Sequence, residues 1–342
     1  MKVQIILAIV GLGLVLFFLP RADVAVPFVE AHLAMGTVVT LKLYVEEEEV
    51  RPLADLAFAE IDHIDSLMSG YSATSELNQI NSLAATQRIN CSTELNLVLE
   101  RSLYFARRSQ GSFDVTIGAL TDLWDFPDAL APPAAAAIDS ARALVGRDYL
   151  QLQDHQVRLL RQGVRLDLGA VAKGFAVDRA VEALDAAGVS RGLIIAGGDI
   201  RFWGKKPDGR PWRFAVQHPR DPDQLIQVED LGLAALATSG DYQQFFIFEG
   251  KRFHHLLDPH TGYPARAAIS ATAWAETAMD ADILSTALFV LGAERGIDWI
   301  ESLPDAEALV FFERDGKLDY SASSGVAQNL RFMKKADENS SF

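Results

Sequence analysis

Short strands joined by tight turns fill the second half of the chain, and they restrict the fold more than any other feature. The stretches "GKKPDGRPWRFAV" (204–216), "FIFEGKRFHHLL" (246–257) and "FFERDGKLDY" (311–320) each bend at Asp-Gly or Glu-Gly, which is typical of β-hairpins. Two helical patterns interrupt them, at 168–187 and from Met279 onward. The regular strand–helix alternation of a doubly wound sheet is missing. The sequence therefore predicts an α+β fold with mixed or antiparallel sheets packed with helices.

The first half supplies further helices after one clear strand. Residues 37–45, "TVVTLKLYV", alternate apolar and polar side chains and are rich in β-branched residues, which predicts a strand. Residues 47–68 have an amphipathic pattern that begins with glutamates, as the positive end of a helix dipole favours. Residues 93–109 show a second helical pattern that ends near Gly111.

An uncharged apolar stretch lies between Lys2 and Arg21. Its length suits a signal peptide or a short membrane anchor. The residues before Arg21 are bulky where a small-residue cleavage site is expected, which favours an uncleaved anchor. We expect the body to lie on the periplasmic side of the inner membrane. The expected segments are an anchor or signal over 1–21, a linker over 22–30 and a single domain over 31–335.

The net charge of the chain limits its partners. A formal charge of −15 over 342 residues disfavours nucleic acid, because phosphate polyanions would be repelled. An anionic ligand would need a locally basic or metal-containing pocket. Cys91 is the only cysteine, which excludes an intramolecular disulfide and a cysteine-rich metal cage.

Two aspartates open the apolar stretch "MDADILSTALFVLG" (279–292). In one interpretation they are structural, with Asp280 as the N-cap and Asp282 favoured by the helix dipole. In the other, Asp282 and Thr286 share a helix face, with Ser285 beside them, and bind a hard cation such as Mg²⁺ through oxygen. The spacing leaves both interpretations open.

Small residues surround a lysine in "LDLGAVAKGFAVDRAVEAL" (166–184), where Asp167 follows a strand-like run. The glycine spacing is not that of a dinucleotide-binding Rossmann turn. Lys173 in the first turns of a helix opposes the dipole, which suggests an anionic ligand, whereas tight packing of helix on sheet is the alternative. The paired glycines of "IIAGGDI" (194–200) indicate a bulge or a close backbone approach.

Adjacent histidines stand in "HHLLDPHTGYPA" (254–265). In an extended strand, neighbouring side chains point to opposite faces, so His255 would lie with Phe253 and Leu257, and His254 with Arg252. A lone histidine on such a strand is most often a surface or core-edge residue. Several such features in one chain are harder to dismiss together.

These stretches, taken in order, resemble the ApbE-type FAD:protein FMN transferase family from about Met35 to about Leu330. No single stretch is decisive, but the ordered set is very specific. The stretches that carry the resemblance are "MGTVVTLKL" (35–43), "MSGYSATSELNQIN" (68–81), "FDVTIGALTDLWDF" (113–126), "LDLGAVAKGFAVD" (166–178), "AGGDIRFWGKKPDGRPWRFAVQHP" (196–219), "ATSGDYQQFF" (237–246), "HHLLDPHTGYP" (254–264) and "DADILSTALFVLG" (280–292).

The resemblance implies a T-fold-like α+β body that binds FAD and Mg²⁺. Such enzymes move the FMN half of FAD onto a threonine hydroxyl of an acceptor flavoprotein and release AMP. The acceptors are typically subunits of electron-transfer complexes outside the cytoplasm. An FAD hydrolase and a non-catalytic FAD-binding envelope protein are the alternatives.

The resemblance also implies roles for individual residues. Asp282, Thr286 and Ser285 match metal-site positions, and Ala170 matches a position whose backbone carbonyl completes the site. His255 is the candidate general base, and Asp258 would orient it or stabilise the turn. The expected flavin-nucleotide contacts are Met35, Tyr71, Phe113, Asp114, Val115, Asp167, Lys173 and Leu257.

Two departures from the family pattern are present. The family often carries a lipidated cysteine after its export signal, and this chain has none, which puts lipid anchoring in doubt. Ser285 stands where some members carry aspartate, so the metal site is expected to hold less negative charge.

Overall fold

The computed structural model describes residues 27–126, 128–221 and 223–334. The anchor or signal expected over residues 1–21 lies outside these residues. Across the described ranges, no helix combines the length and the apolar character needed to cross a bilayer. The predicted linker over 22–30 extends too far, because the first strand begins at Phe28 and pairs with the next strand of the sheet.

Helices and strands alternate irregularly along the chain. The helices are α1 (Glu47–Met68), α2 (Glu76–Leu83), α3 (Thr93–Arg108), α4 (Gly118–Trp124), α5 (Ala135–Arg142), α6 (Ala172–Ala186), α7 (Ala278–Leu291), α8 (Ala293–Glu301) and α9 (Ser324–Asn329). The strands are β1 (Phe28–Ala34), β2 (Thr37–Leu43), β3 (Ile89–Asn90), β4 (Leu150–Gln153), β5 (Gln156–Leu159), β6 (Gly192–Ala196), β7 (Asp199–Trp203), β8 (Phe214–Gln217), β9 (Gln224–Val228), β10 (Ala235–Gly240), β11 (Phe245–Phe248), β12 (Lys251–His254), β13 (Ser270–Ala275), β14 (Ala306–Arg314), β15 (Lys317–Ala322) and β16 (Leu330–Lys334).

An antiparallel eight-stranded sheet forms the centre, in the order β1-β2-β6-β7-β10-β13-β14-β15. Smaller antiparallel sheets are formed by β16-β9-β8, β3-β5-β4 and β11-β12. The predicted α+β fold with antiparallel sheets packed with helices is confirmed. Strands joined by short connections, such as β1–β2, β6–β7 and β14–β15, pair as antiparallel hairpins.

The two faces of the central sheet carry side chains of different size. Small residues such as Ala237, Ala273 and Ala308 point to the face covered by α6 and α7, whereas Trp274 and Leu309 point to the opposite face. The opposite face packs against β8 and β9. Alanines let the two helices approach the strands closely, so polar atoms at the strand ends come within reach of the helices.

Two of the three predicted hairpins are confirmed, and one is wrong. β11 and β12 turn at Glu249–Gly250, and β14 and β15 turn at Asp315–Gly316, all four with positive φ. The stretch 204–216 does not form a hairpin of its own, because β8 pairs with β9 in a separate sheet. The segment does bend back, since Trp212 Nε1 donates to the Gly204 carbonyl at 2.9 Å and the Lys206 amide donates to the Arg210 carbonyl at 3.1 Å, but β7 and β8 on its two sides belong to different sheets.

The predicted helices are present with some shifts at their ends. The range 47–68 is confirmed, and α3 ends one residue before the predicted 109. α6 spans Ala172–Ala186 instead of 168–187, because residues 169–171 form a turn before the helix begins.

An aromatic cluster supports the segment that follows β12. Trp124, Phe126, Phe246 and Phe253 stack with ring centroids 5.4 to 6.5 Å apart. Trp124 Nε1 donates to the Gly262 carbonyl at 2.9 Å. The cluster therefore fixes both the hairpin and the turn that follows the two histidines.

Candidate active site

Helices α6 and α7 cross at van der Waals contact. A Cβ added to Gly174 would lie 2.3 Å from the Ala278 carbonyl oxygen, so only glycine fits at this crossing. The carboxylate of Asp178 on α6 accepts from the backbone amides of Ala278 and Met279 at 2.9 Å each. One helix thus holds the N-terminus of the other.

The N-cap of α7 differs from the predicted residue. Thr277 is the N-cap, and its hydroxyl accepts from the Asp280 amide at 3.1 Å. Asp280 instead forms a bidentate ion pair with Arg101, at 2.7 and 2.5 Å. The prediction of Asp280 as N-cap was wrong because the strand before α7 ends two residues before Thr277, so the helix begins earlier than the charge pattern indicated.

Lys173 and Asp282 meet between the two helices. Lys173 Nζ lies 3.2 Å from Asp282 Oδ2 and donates to the Gly169 carbonyl at 2.9 Å. The Gly174 amide approaches Asp282 Oδ2 at 3.4 Å. Asp282 is buried, so its charge is matched by the lysine. The stretches at 166–178 and 280–292 therefore converge on one place.

Two polar residues that the sequence analysis did not select complete this cluster. Asp199 Oδ2 lies 3.4 Å from Lys173 Nζ, and Ser239 Oγ lies 2.9 Å from Ser285 Oγ and 3.4 Å from Thr286 Oγ1. Asp199 is the first residue of β7 and pairs with Ala237 of β10. Ser239 comes two residues after Ala237 in β10, so the two side chains lie on the same face of the sheet. The Gly-Gly-Asp pattern was the available signal for Asp199, but only the pairing of β7 with β10 brings it to the site.

The cluster holds two buried carboxylates around one ammonium. Burial acts to lower the pKa of Lys173, but Asp199 and Asp282 outweigh this effect and raise it, so the side chain stays charged. Burial, reinforced by the nearby Asp282, raises the pKa of Asp199. Two carboxylates this close resist ionising together, so the site favours a cation beside them.

The oxygen atoms of this cluster suit a hard cation. One or two carboxylates and the hydroxyls of Ser285 and Thr286 are the donors that Mg²⁺ prefers. Among the described residues, the partner of Asp199 Oδ2 is the Lys173 ammonium at 3.4 Å, and no other group donates a hydrogen bond to this oxygen. No group of three or more His, Cys, Asp or Glu side chains arranged to hold a metal occurs in the described ranges. A metal would therefore depend on hydroxyl and carbonyl oxygens as well as on carboxylates.

His255 lies at the edge of the same cluster. Its Nδ1 lies 3.3 Å from the Gln244 carbonyl, which can only accept, so Nδ1 carries the proton and Nε2 presents a lone pair. Burial, together with the positive charge of Lys173 and the neighbouring His254, lowers the pKa of His255 to about 4. At neutral pH the imidazole is uncharged and able to accept a proton.

His254 has a structural role. Its Nε2 lies 2.9 Å from the Ala265 carbonyl, and its ring meets Phe289 of α7 edge to face. The predicted sharing of a strand face by His255, Phe253 and Leu257 was wrong, because β12 ends at His254 and His255 lies in a bend. The two histidines are still separated: His254 lies in the core, whereas His255 is close enough to Lys173 for its pKa to be lowered by that charge.

Asp258 stabilises the turn after the histidines. Its Oδ1 accepts from the His260 amide at 2.9 Å, and its Oδ2 accepts from the Thr261 hydroxyl at 3.1 Å. Its own amide donates to the Tyr263 carbonyl at 2.8 Å. Of the two roles considered for Asp258, these bonds correspond to the turn and not to orientation of His255.

Some of the expected flavin-nucleotide contacts lie close together. The Asp167 amide donates to the Val115 carbonyl at 2.8 Å, and Asp167 Oδ1 accepts from the Gly169 amide at 2.8 Å. Asp114 is buried, and its Oδ1 accepts from the amide and hydroxyl of Thr116. The segments around Asp114 and Asp167 therefore lie side by side, next to the loop that leads to Lys173.

The other expected contact residues differ in exposure. Met35 has φ +51 in the β1–β2 turn, and its amide donates to Asp65 Oδ2 at 3.1 Å. Tyr71 is 94% exposed, so its ring is accessible to a partner. The side chains of Phe113, Val115 and Leu257 are apolar and buried.

Sequence and structure comparisons agree on one family. The ApbE family model matches residues 35–310. An FAD:protein FMN transferase of Vibrio cholerae is 31% identical over 310 residues, which are 87% of this chain and 92% of that protein. An FAD:protein FMN transferase of Escherichia coli K12 is 33% identical over 245 residues, which are 69% and 70% of the two chains.

Solved structures show the same likeness. The flavin transferase ApbE of Vibrio cholerae superposes with a TM-score of 0.80 at 28% identity, covering 89% of this chain and 99% of that one. The ApbE protein of Thermotoga maritima gives a TM-score of 0.78 at 32% identity, covering 86% and 97%. With the family match spanning most of the chain and the ordered stretches folded around one site, this protein belongs to the ApbE family.

Proposed function

We propose that the chain is a magnesium-dependent FAD:protein FMN transferase. It attaches the FMN moiety of FAD through a phosphoester bond to a threonine or serine of an acceptor flavoprotein and releases AMP. Family membership supports this activity, which is the one named for the relatives. The observation that carries the proposal is the convergence of Lys173, Asp282 and the hydroxyls of Ser285 and Thr286 beside His255.

The N-terminal end of α6 suits the diphosphate of FAD. The positive end of the α6 dipole favours a phosphate, and Lys173 adds a positive charge in the first turn. Asp282, Ser285 and Thr286, with the backbone carbonyl of Ala170, would hold Mg²⁺, which stabilises negative charge on a phosphoryl group under attack. The exposed ring of Tyr71 is suited to stacking on a ring of the ligand.

His255 has the tautomer needed for a general base. The acceptor hydroxyl attacks the FMN phosphorus, and its proton passes to His255 Nε2 while the new O–P bond forms. The P–O bond to AMP breaks, and AMP leaves with the bridging oxygen. The negative charge of the bound diphosphate would raise the pKa of His255 from about 4 toward neutrality, where a general base acts best.

The proposed location follows from the sequence of the first 21 residues. Their apolar character supports attachment to the inner membrane, with the body on the periplasmic side. The acceptors would then be flavoprotein subunits of electron-transfer complexes that face the same compartment. Fractionation of cells that express the full chain, followed by protease accessibility, tests this location.

Co-expression with candidate acceptors tests the activity. A transferase produces a covalently fluorescent acceptor band that requires FAD and disappears in EDTA. Rapid AMP release without any acceptor would instead identify an FAD hydrolase. Binding of FAD without AMP release, in the presence of Mg²⁺ and acceptor, would identify a non-catalytic binding protein.

A further inference from the structure

The ammonium of Lys173 is shared between two carboxylates, of which only Asp282 belongs to the proposed magnesium site. Its Nζ lies 3.2 Å from Asp282 Oδ2 and 3.4 Å from Asp199 Oδ2. Lys173 Nζ also donates a hydrogen bond to the Gly169 carbonyl at 2.9 Å. The lysine is therefore held between α7 on one side and β7 on the other.

The strand that carries Asp199 is fixed by its backbone. Gly197 has φ +62 in the turn before β7, and a Cβ added to Gly198 would lie 2.9 Å from the Thr238 carbonyl oxygen. Asp199 then pairs with Ala196 and with Ala237 in the centre of the eight-stranded sheet. Because both neighbours are paired strands, the backbone of Asp199 is held in place, and its buried side chain lies beside Lys173.

A buried ammonium needs a carboxylate partner. If Asp199 lost its charge, Asp282 would be the remaining carboxylate within reach of Lys173. The ammonium would then neutralise the residue that a divalent cation needs as a ligand, and it would compete with that cation for the same oxygen atoms.

We propose that Asp199 is a positioning residue that shares the Lys173 ammonium with Asp282 and so leaves the Asp282 carboxylate able to bind a divalent cation. This inference rests on the magnesium part of the proposed function. It concerns binding of the metal alone, so it is testable without FAD, acceptor or turnover.

The direct test is to measure Mn²⁺ binding to the full chain, with electron paramagnetic resonance to detect the free ion. We expect Asp199→Asn to weaken Mn²⁺ binding about tenfold, as is usual when a residue that orients metal ligands is lost. In a Lys173→Met background the same change should alter the Mn²⁺ Kd less than about twofold, because the competing ammonium is gone. Lys173→Met by itself should bind Mn²⁺ at least as tightly as the wild-type chain.

Asp178→Asn is the matched control. Asp178 is also a buried carboxylate beneath α7, but it accepts from the amides of Ala278 and Met279 and not from Lys173. Its effect on Mn²⁺ binding should be the same with and without Lys173. Thermal melting checks that every variant is folded, and Lys173→Met keeps the test open if Asp199→Asn does not fold.

Four results would overturn the inference. An unchanged Mn²⁺ Kd in Asp199→Asn, with normal wild-type binding, would reject the positioning role and leave the proposed function intact. An equal loss in both Lys173 backgrounds would mean that Asp199 acts on the metal directly. Weaker binding in Lys173→Met would show that the lysine does not compete. If the wild-type chain bound no Mn²⁺, the magnesium part of the proposed function would fail together with this inference.

Discussion

Gly174 of α6 and the Ala278 carbonyl of α7 approach so closely that a Cβ on the glycine would lie 2.3 Å from the carbonyl oxygen. Lys173 and Asp282 flank this crossing and meet at 3.2 Å. The spacing of the two helices therefore sets the distance between the lysine and the carboxylate of the candidate site.

Gly174→Ala should destabilise the fold by about 1–3 kcal/mol, because the helices must separate to admit the methyl group. Chemical denaturation measures the loss. Gly70→Ala is the control, since an added Cβ at Gly70 meets no atom within 4 Å. A Gly174→Ala protein as stable as the wild type would mean that the crossing adjusts without cost.

His254 should make the fold sensitive to acid. Burial lowers the pKa of its imidazole to about 4, against an ordinary value of 6.5, so the unfolded chain binds a proton more readily than the folded one. Stability is then fully present above pH 6.5 and is lost as the pH falls toward 4. The loss from this one group is about 3 kcal/mol at most.

His254→Gln removes this group, so the variant should lose less stability between pH 7 and pH 4 than the wild-type chain. His255 also titrates in this window and would preserve part of the acid sensitivity. Denaturation curves at several pH values measure the difference, with the surface change His63→Gln as the control. Identical acid profiles for His254→Gln and the wild type would contradict the buried, neutral state of His254.

His255→Ala should abolish transfer while leaving FAD binding nearly intact. A general base contributes about 10²–10⁴-fold to the rate, so the loss should appear in kcat. His254→Gln should lose far less, because its ring lies in the core against Phe289. Undiminished transfer by His255→Ala, measured by acceptor fluorescence, would reject the assignment of the base.

The pH dependence of transfer should differ between the free enzyme and the enzyme with FAD bound. The pKa of His255 is about 4 in the free protein, so kcat/KM should fall only as the pH drops toward 4. The bound diphosphate stabilises the protonated imidazole, which should move the acidic fall of kcat to higher pH. Coincident acidic limbs for the two constants would argue against His255 facing the diphosphate.

Asp282→Ala should raise the Mg²⁺ concentration needed for transfer by about tenfold or more, because the site loses its buried carboxylate ligand. Asp280→Asn is the matched control on the same helix, since Asp280 pairs with Arg101, whereas Lys173 pairs with Asp282 and Asp199. A Mg²⁺ titration of transfer measures both. If the titration of Asp282→Ala matched that of the wild type, Asp282 would be structural only.

Local patterns determined much of the fold. The apolar periodicity of residues 47–68 predicted α1 to its ends, and the Glu-Gly and Asp-Gly turns predicted two hairpins, because these signals depend on neighbours a few residues apart. The ordered family stretches also allowed candidate site residues to be selected from the sequence, among them Lys173, Asp282 and His255.

The tertiary structure decided which distant residues meet, because this depends on the pairing of strands that are far apart in the chain. The pairing of β7 with β10 brings Asp199 and Ser239 to the cluster, and the pairing of β8 with β9 removes the third predicted hairpin. β12 ends at His254, so His255 lies outside the strand and its side chain does not follow the alternation of strand faces. Sequence fixes which side chains are available and how each short segment bends, but charges and hydroxyls far apart in the chain meet only when strands and helices pack, because burial and register depend on the whole sheet.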